Sequence, residues 1–373
     1  MSIHFTSFHI AKLKYVLVAC VKHYFESKLI KIIFIHMLSI NIIFVWVIRG
    51  AFSYFIVYFR MENGGEMYQN ILWRIYVIVM VLFFGGCEPT KKDILTWTAI
   101  NVSPNIQQGD AHLISKNGKY FLIDAGHISY AREVLLPFLK KKGVSELEAV
   151  LITHPHNDHY GGVKALVENH FKIKSLYMNM PTKEQMDKEY WGGTYNELLT
   201  IRDLAKTHHI KIMPIKMGDK LIFDKKSFIE VLYVYDGLHS PVGKTDINDM
   251  SVIAMIYDRN NKFLLTGDLS KKLGKYLGEN ADNIEADILK APHHGTESFA
   301  PNVFFERVNP KVLIVPSPKH LWFSKRSERT RALAKKYHYQ TYVNGYHGDI
   351  TVISNGDSYT IHTQRKIEDI FRK

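Results

Sequence analysis

The chain has 373 residues, enough for one large domain or two small ones, with 48 Lys and Arg against 36 Asp and Glu and a formal net charge of +12. Its two cysteines, Cys20 and Cys87, exclude a disulfide framework and a cysteine-rich zinc site, so any bound metal must be held by His, Asp or Glu. Residues 1–87 account for +5 of that charge, and the excess left to the remainder permits an anionic substrate without requiring one.

Residues 29–59 are dominated by Ile, Phe, Val and Tyr, and the run Ile32 to Ile48 has no Asp, Glu, Lys or Arg. At face value this predicts a transmembrane helix near the lower limit of length. A second signal begins at Met67: a short head carrying Arg74, an apolar core from Ile75 to Phe84, and Gly85-Gly86 before Cys87. That is the layout of a secretory signal, and Phe84-Gly85-Gly86-Cys87 resembles the lipobox of bacterial lipoproteins, whose cysteine is lipidated. A plain membrane anchor over 71–86 is the alternative. Upstream, Met61-Glu62-Asn63-Gly64-Gly65-Glu66 has the look of a purine-rich ribosome-binding stretch translated in frame, which suggests that residues 1–66 are an over-extended start. Residues 88–94 read as a tether, and 95–365 as the functional domain.

Ile94 to Val102 reads as a strand, followed by Gln108-Gly109-Asp110-Ala111, an Asn117-Gly118 hairpin turn and the strand Tyr120 to Ile123. That strand ends in Asp124-Ala125-Gly126. Helical spacing runs from Ala131 to Lys142, closed by Gly143. An apolar strand, Ala149 to Ile152, then delivers Thr153-His154-Pro155-His156-Asn157-Asp158-His159-Tyr160-Gly161-Gly162. Three histidines and an aspartate within six residues at a strand end suit divalent metal, and their differing directions suggest two neighbouring metal positions.

Strands follow near 175–178, 211–215 and 228–235, with a polar helix between Thr182 and His208; His208 and His209 read as solvated caps. Asp246-Ile247-Asn248-Asp249-Met250-Ser251 precedes the strand Val252 to Tyr257. Lys262 to Leu265 then leads into Thr266-Gly267-Asp268, a second apolar strand with a carboxylate at its tip that can bridge two metals. The strand in Asp287 to Lys290 runs into Pro292-His293-His294-Gly295, and Gln340 to Val343 leads to His347; a hairpin over 349–363 ends the pattern. Between them, Lys319 to His338 is basic and reads as the exposed face of an outer helix with Ala332 and Leu333 inward.

The ordered motifs QGDA, LIDAG, THPHNDHYGG, NDMS, LLTGD, KAPHHG and YHGDITV span residues about 95 to 360 and resemble the metallo-β-lactamase superfamily. Within it they are similar to the hydrolase domain attached to ComEC competence channels, with the phosphorylcholine esterases nearby. The resemblance implies an α/β fold, the four-layer αββα sandwich, with the site at one edge. It implies a metal held by His154, His156, His294 and Asp268, and another held by Asp158, His159, His347 and Asp268. Asp110, Asp124 and Asn248 become supports behind these ligands, and Asp158 and His293 the groups acting on substrate, with the choice of ligand between His293 and His294 left open. The usual third histidine after the second motif is replaced here by His239 or the Asn248-Asp249 pair as the only candidates in that interval. Two divalent ions, zinc first and manganese as the alternative, would acidify a shared water for attack on a phosphodiester. The expected protein is a membrane-anchored, exported metallohydrolase acting on nucleic acid or a phosphorylated envelope component; a non-catalytic partner of a DNA-uptake system, or a β-lactam or thioester hydrolase, are the alternatives.

Overall fold

A computed structural model describes the strands within residues 30–61 and, from Asp93 onward, all residues except 103–106, 237–241, 245, 297–299, 367–368 and 372–373. Met1–Glu88 and Pro89–Lys373 form two separate compact units.

In the first unit Ile30–Met37, Ile40–Arg49 and Phe52–Met61 make an antiparallel three-stranded sheet in sequential order. The helix expected over Ile32 to Ile48 is corrected: the run is split between two paired strands. Its density of Ile, Val, Phe and Trp suits a pleated surface better than a helix. No helix among the described residues is long and apolar enough to cross a membrane. The signal-like segment and Cys87 lie outside the described residues.

The second unit is built on two large sheets. One has eight strands in the spatial order Lys211–Met213, Ser175–Tyr177, Ala149–Leu151, Lys119–Ala125, Ala111–Lys116, Leu95–Ala99, Ile350–Ser354, Tyr359–Thr363. The other has seven, in the order Lys220–Ile222, Ser227–Tyr233, Ile253–Asp258, Asn261–Leu265, Ile288–Lys290, Val312–Val315, Gln340–Val343. Period-two alternation decides the layering. Phe121 and Ile123 of one sheet join Phe263, Leu265, Ile288 and Ile314 of the other in a shared core, so these are the facing surfaces. The intervening Leu122 packs instead with Leu135, Leu139, Val163 and Leu166, which belong to covering helical segments. On the far side Leu264, Leu289 and Leu313 pack with Leu273, Leu277, Phe304 and Leu333. Helix, sheet, sheet, helix is thus the order of layers, the αββα sandwich.

Three expected helices differ in detail. The segment 131–142 begins as a π-helical turn over Ala131–Leu135 before the α-helix Leu136–Lys141, since Pro137 has no N–H to continue an α-helical ladder. The polar helix between Thr182 and His208 is two helices, Lys183–Lys188 and Tyr195–Thr207. Each opens with its own capping box, Thr182 with Gln185 and Thr194 with Glu197, so a fresh start is encoded midway. The basic segment ends in the helix Glu328–Lys336, whose buried face carries Leu333 and Ala334 where Ala332 was expected.

Parallel pairing sets the location of the site. Lys119–Ala125 and Ala149–Leu151 run parallel in one sheet, and Asn261–Leu265, Ile288–Lys290 and Val312–Val315 run parallel in the other. Their carboxyl ends carry the chemically interesting loops.

Candidate metal centre

The Asp124 backbone is left-handed (φ 57°), which turns its fully buried carboxylate across the strand end. One oxygen accepts the Thr153 N–H at 2.8 Å, and the other accepts from Thr153 Oγ1 and His159 Nδ1, both at 2.8 Å. Asp124 therefore clamps both ends of the histidine-rich turn and leaves His159 with only Nε2 to offer. Asp158 sits in the first turn of the helix Asn157–Glu168, where the helix dipole favours an anion.

Three segments now converge. Asp158, His159, Asp268 and His294 each present a ligand atom within 4.8 Å of the others. Asp268 Oδ2 lies 3.0 Å from His294 Nε2 and 3.2 Å from His159 Nε2, and Asp158 Oδ2 lies 3.3 Å from His294 Nε2. A second group, Asp110, Asp124 and His159, meets the same criterion and shares its histidine with the first. His154 and His156 stand alongside, Nε2 of one 3.2 Å from Nδ1 of the other, with the His154 ring 4.1 Å from that of His159.

The donors fit a cation. His159 Nε2, His294 Nε2 and His293 Nδ1 are buried without a hydrogen-bond partner, although two of them lie within 3.3 Å of carboxylate oxygens. The atoms are close but not aligned as donor and acceptor, the arrangement expected around a shared centre. Burial favours a neutral Asp158, yet His159 and His294 hold its carboxyl well below the usual range; His294, His159 and Lys290 do the same for Asp268. Conversely, burial is outweighed at His159 by Asp268, Asp124 and Asp158, and at His294 by Asp268 and Asp110, so both imidazoles are pushed well above their ordinary value. Burial keeps His154 neutral, the form a metal ligand needs, with His159 and His156 adding to the effect.

The structure separates residues that the sequence left tied. Of the HHG pair, His294 enters the cluster and donates through Nδ1 to the Pro316 carbonyl at 3.1 Å, with the Asp110 carboxylate at the same distance. His293 is set back, its Nε2 3.7 Å from Asp268, and burial lowers its pKa to about 4. Expected beside His154 and His156, His294 has its Nε2 facing Asp158 as well as Asp268. His347 is not in either group; the Val343 backbone occupies its Nδ1 at 3.0 to 3.1 Å, leaving only Nε2 for another role. Asn248, expected to support the ligands, has an Oδ1 buried without a hydrogen-bond partner among the described residues. Its neighbours do that work. Ser251 Oγ accepts the Asp268 N–H at 2.9 Å, and Asp249 caps the helix Lys271–Asn280 that follows Asp268 through the Ser270 and Leu273 N–H groups. His208 and His209 take no part in either cluster.

Two functional neighbours escaped the sequence reading. Lys290, fully buried at the end of its strand, ion-pairs with Asp110, donates to the Gly267 carbonyl at 2.6 Å and lies 3.4 Å from Asp268. A lysine closing an apolar strand was its one visible signal. Glu189 Oε2 lies 2.9 Å from His156 Nε2, while its Oε1 accepts the Ile247 N–H at 3.0 Å. Nothing in its polar surroundings marked it.

Comparison with known proteins agrees with this architecture. Residues 105–227 match the sequence model of the Metallo-beta-lactamase superfamily. The chain is 27% identical over 234 residues to ComE operon protein 3 of Bacillus subtilis, covering 58% of this chain and 28% of that protein. It is 28% identical over 219 residues to Recombination protein 2 of Haemophilus influenzae, covering 57% of this chain and 23% of the relative. The chain thus spans well under two thirds of these relatives. Among solved structures, Zn(2+)-bound PqqB from Methylobacterium extorquens is similar with a TM-score of 0.38 at 12% identity, covering 66% of this chain and 97% of its own. Residues 105–227 thus carry a metallo-β-lactamase superfamily domain, and the chain is similar over a little more than half its length to ComEC-type competence proteins.

Proposed function

We propose that the domain is a phosphodiesterase that binds two divalent cations and acts on nucleic acid. The observation that carries this is the convergence of Asp158, His159, Asp268 and His294, from three distant parts of the chain, within 4.8 Å. Those four would hold one cation and His154 and His156, with His347 through Nε2, would hold the second; zinc suits the histidine content with manganese second. Such ions, when bound, supply Lewis acidity that polarises a phosphoryl oxygen and acidifies water.

The protein's own residues set the rest. Asp124 fixes the turn and the tautomer of His159. Lys290 and Asp110, ion-paired behind Asp268 and His294, keep both in place and hold compensating charge inside the fold. His293, neutral at pH 7 because burial lowers its pKa to about 4, has an N–H to donate to a substrate oxygen. Asp158, with a side chain 16% exposed against 2% for Asp268, is the carboxylate nearest to entering substrate.

Metal content of the purified protein and its hydrolysis of bis(p-nitrophenyl) phosphate, with Asp158→Ala as control, test this reading. Activity and metal are expected in the wild type and lost together in the variant; equal activity in both refutes the mechanism. Protein without metal or activity favours a non-catalytic partner in DNA uptake, the process suggested by relatives named for competence. We also propose export and membrane anchoring through Cys87; a Cys87→Ala protein that stays with the membrane would overturn that part.

A further inference from the structure

Between the two helices Lys183–Lys188 and Tyr195–Thr207 the chain makes a short turn that touches the metal-side histidines. Glu189 grips His156 Nε2 at 2.9 Å from one side of the turn. Gly192 lies flat on the same ring from the other: a Cβ there would be 2.2 Å from His156 Cδ2. At Gly193 (φ 121°) a Cβ would be 2.1 Å from the Tyr160 hydroxyl. Residues 189 to 193 are therefore pressed against the site with no room for side chains at the two glycines. The two residues between, Tyr190 and Trp191, point outward and are 78% and 64% exposed. Their rings meet edge to face, with centroids 5.4 Å apart.

Single exposed aromatics are ordinary on protein surfaces. Here two adjacent large rings sit exposed on a turn whose Glu189 and Gly192 hold a site histidine. The helix leading to the turn also forms one wall of a cavity of about 980 Å³ that contains three tyrosines. Lys188 and Glu184 of its lining pair with each other at 2.8 Å, which leaves Lys216 and Lys244 against Asp236, a balance that favours an anionic occupant. Planar rings beside cationic side chains are what a flexible polyanion with flat substituents requires, because phosphates follow the charge and bases stack on the rings.

We propose that Tyr190 and Trp191 form a stacking platform for a base of single-stranded nucleic acid whose backbone enters the neighbouring centre. This rests on the phosphodiesterase reading and deepens it. The test is binding by the full chain of a short, labelled oligodeoxynucleotide, phosphorothioate-linked to resist cleavage, against its abasic counterpart. The base-bearing strand is expected to bind about tenfold more tightly, within the range for stacking of one base. Trp191→Ala and Tyr190→Ala should erase most of that preference, and Trp191→Phe should retain it. Equal binding of the two strands, or a preference untouched in both alanine variants, overturns the proposal. So does Trp191-dependent binding to phosphatidylglycerol vesicles without base preference, which would make the pair a membrane contact. Base preference in a protein without diesterase activity leaves the platform standing and removes the hydrolase reading; activity without base preference does the reverse.

Discussion

The strand Ala111–Lys116 carries a buried charge near each end, and the two ends behave differently. At its finish Lys116, with a fully buried side chain, crosses to the other sheet and pairs with Asp258 at 2.8 Å, with Asp93 and Asp224 at 3.0 and 3.4 Å. Asp258 also accepts from Ser227 Oγ and Ser354 Oγ, so its oxygens are satisfied. At the start Asp110 crosses to Lys290, again joining the sheets, but beside it imidazole nitrogens remain buried without partners. A charge cluster that serves only the fold closes on itself. One that serves a ligand keeps atoms pointed at a common centre.

Four substitutions or conditions test that contrast, from the largest expected effect to the smallest. Lys116→Ala leaves Asp258 buried without its cation and should cost about 3–5 kcal/mol in denaturant unfolding. Metal bound per folded molecule should not change; a loss of metal there would erase the distinction between the ends. Asp124→Asn strikes the other end and should weaken metal binding by about 10- to 100-fold, read by calorimetry. Glu189→Gln keeps the shape around His156 but removes the charge, so a loss of about tenfold is expected. An unchanged affinity would mean that Glu189 serves only to anchor Ile247.

The last test uses pH. Burial opposes the charged form of Lys116, but Asp258 and Asp93 raise its pKa above 10.5. A raised folded value means that the stabilisation is complete below the unfolded pKa of about 10.4 and is lost as pH climbs through the folded one. The wild type should lose stability on that alkaline limb more steeply than Lys116→Met. At the metal end the sign is opposite. Asp110 resists the effect of burial through Lys290 and His294 and titrates well below 3.8, so its contribution is present above about 3.9 and disappears in acid. Matching alkaline limbs in the two proteins would show that Lys116 is not the group responsible.

The sequence disclosed the site through strand-end grammar. Asp124, His154 to His159, Asp268 and the HHG pair all follow short apolar runs, and period-two alternation is enough to say that such runs are strands delivering their tips to an edge. What it could not disclose was direction. His293 and His294 both adopt left-handed backbone, φ 48° and 53°, and it is this local turn that sends His294 inward and sets His293 back. Glu189 is hidden for a different reason: its role comes from a helix break, and the second capping signal at Thr194 lies inside a polar stretch whose spacing alone predicts one continuous helix. The N-terminal strands show the reverse error, in which hydropathy alone suggested a helix although the β-branched and aromatic content pointed to pairing.

Asp124 and Asp158 hang from one sheet, Asp268 and His294 from the other. Neither half of the sandwich owns a complete cage, so a cation held there grips only a chain whose two halves have docked. Loading then reports on closure: by mass action the ion adds its binding free energy to the assembled form alone, and a chelator should loosen the seam between the sheets before it disturbs either sheet by itself.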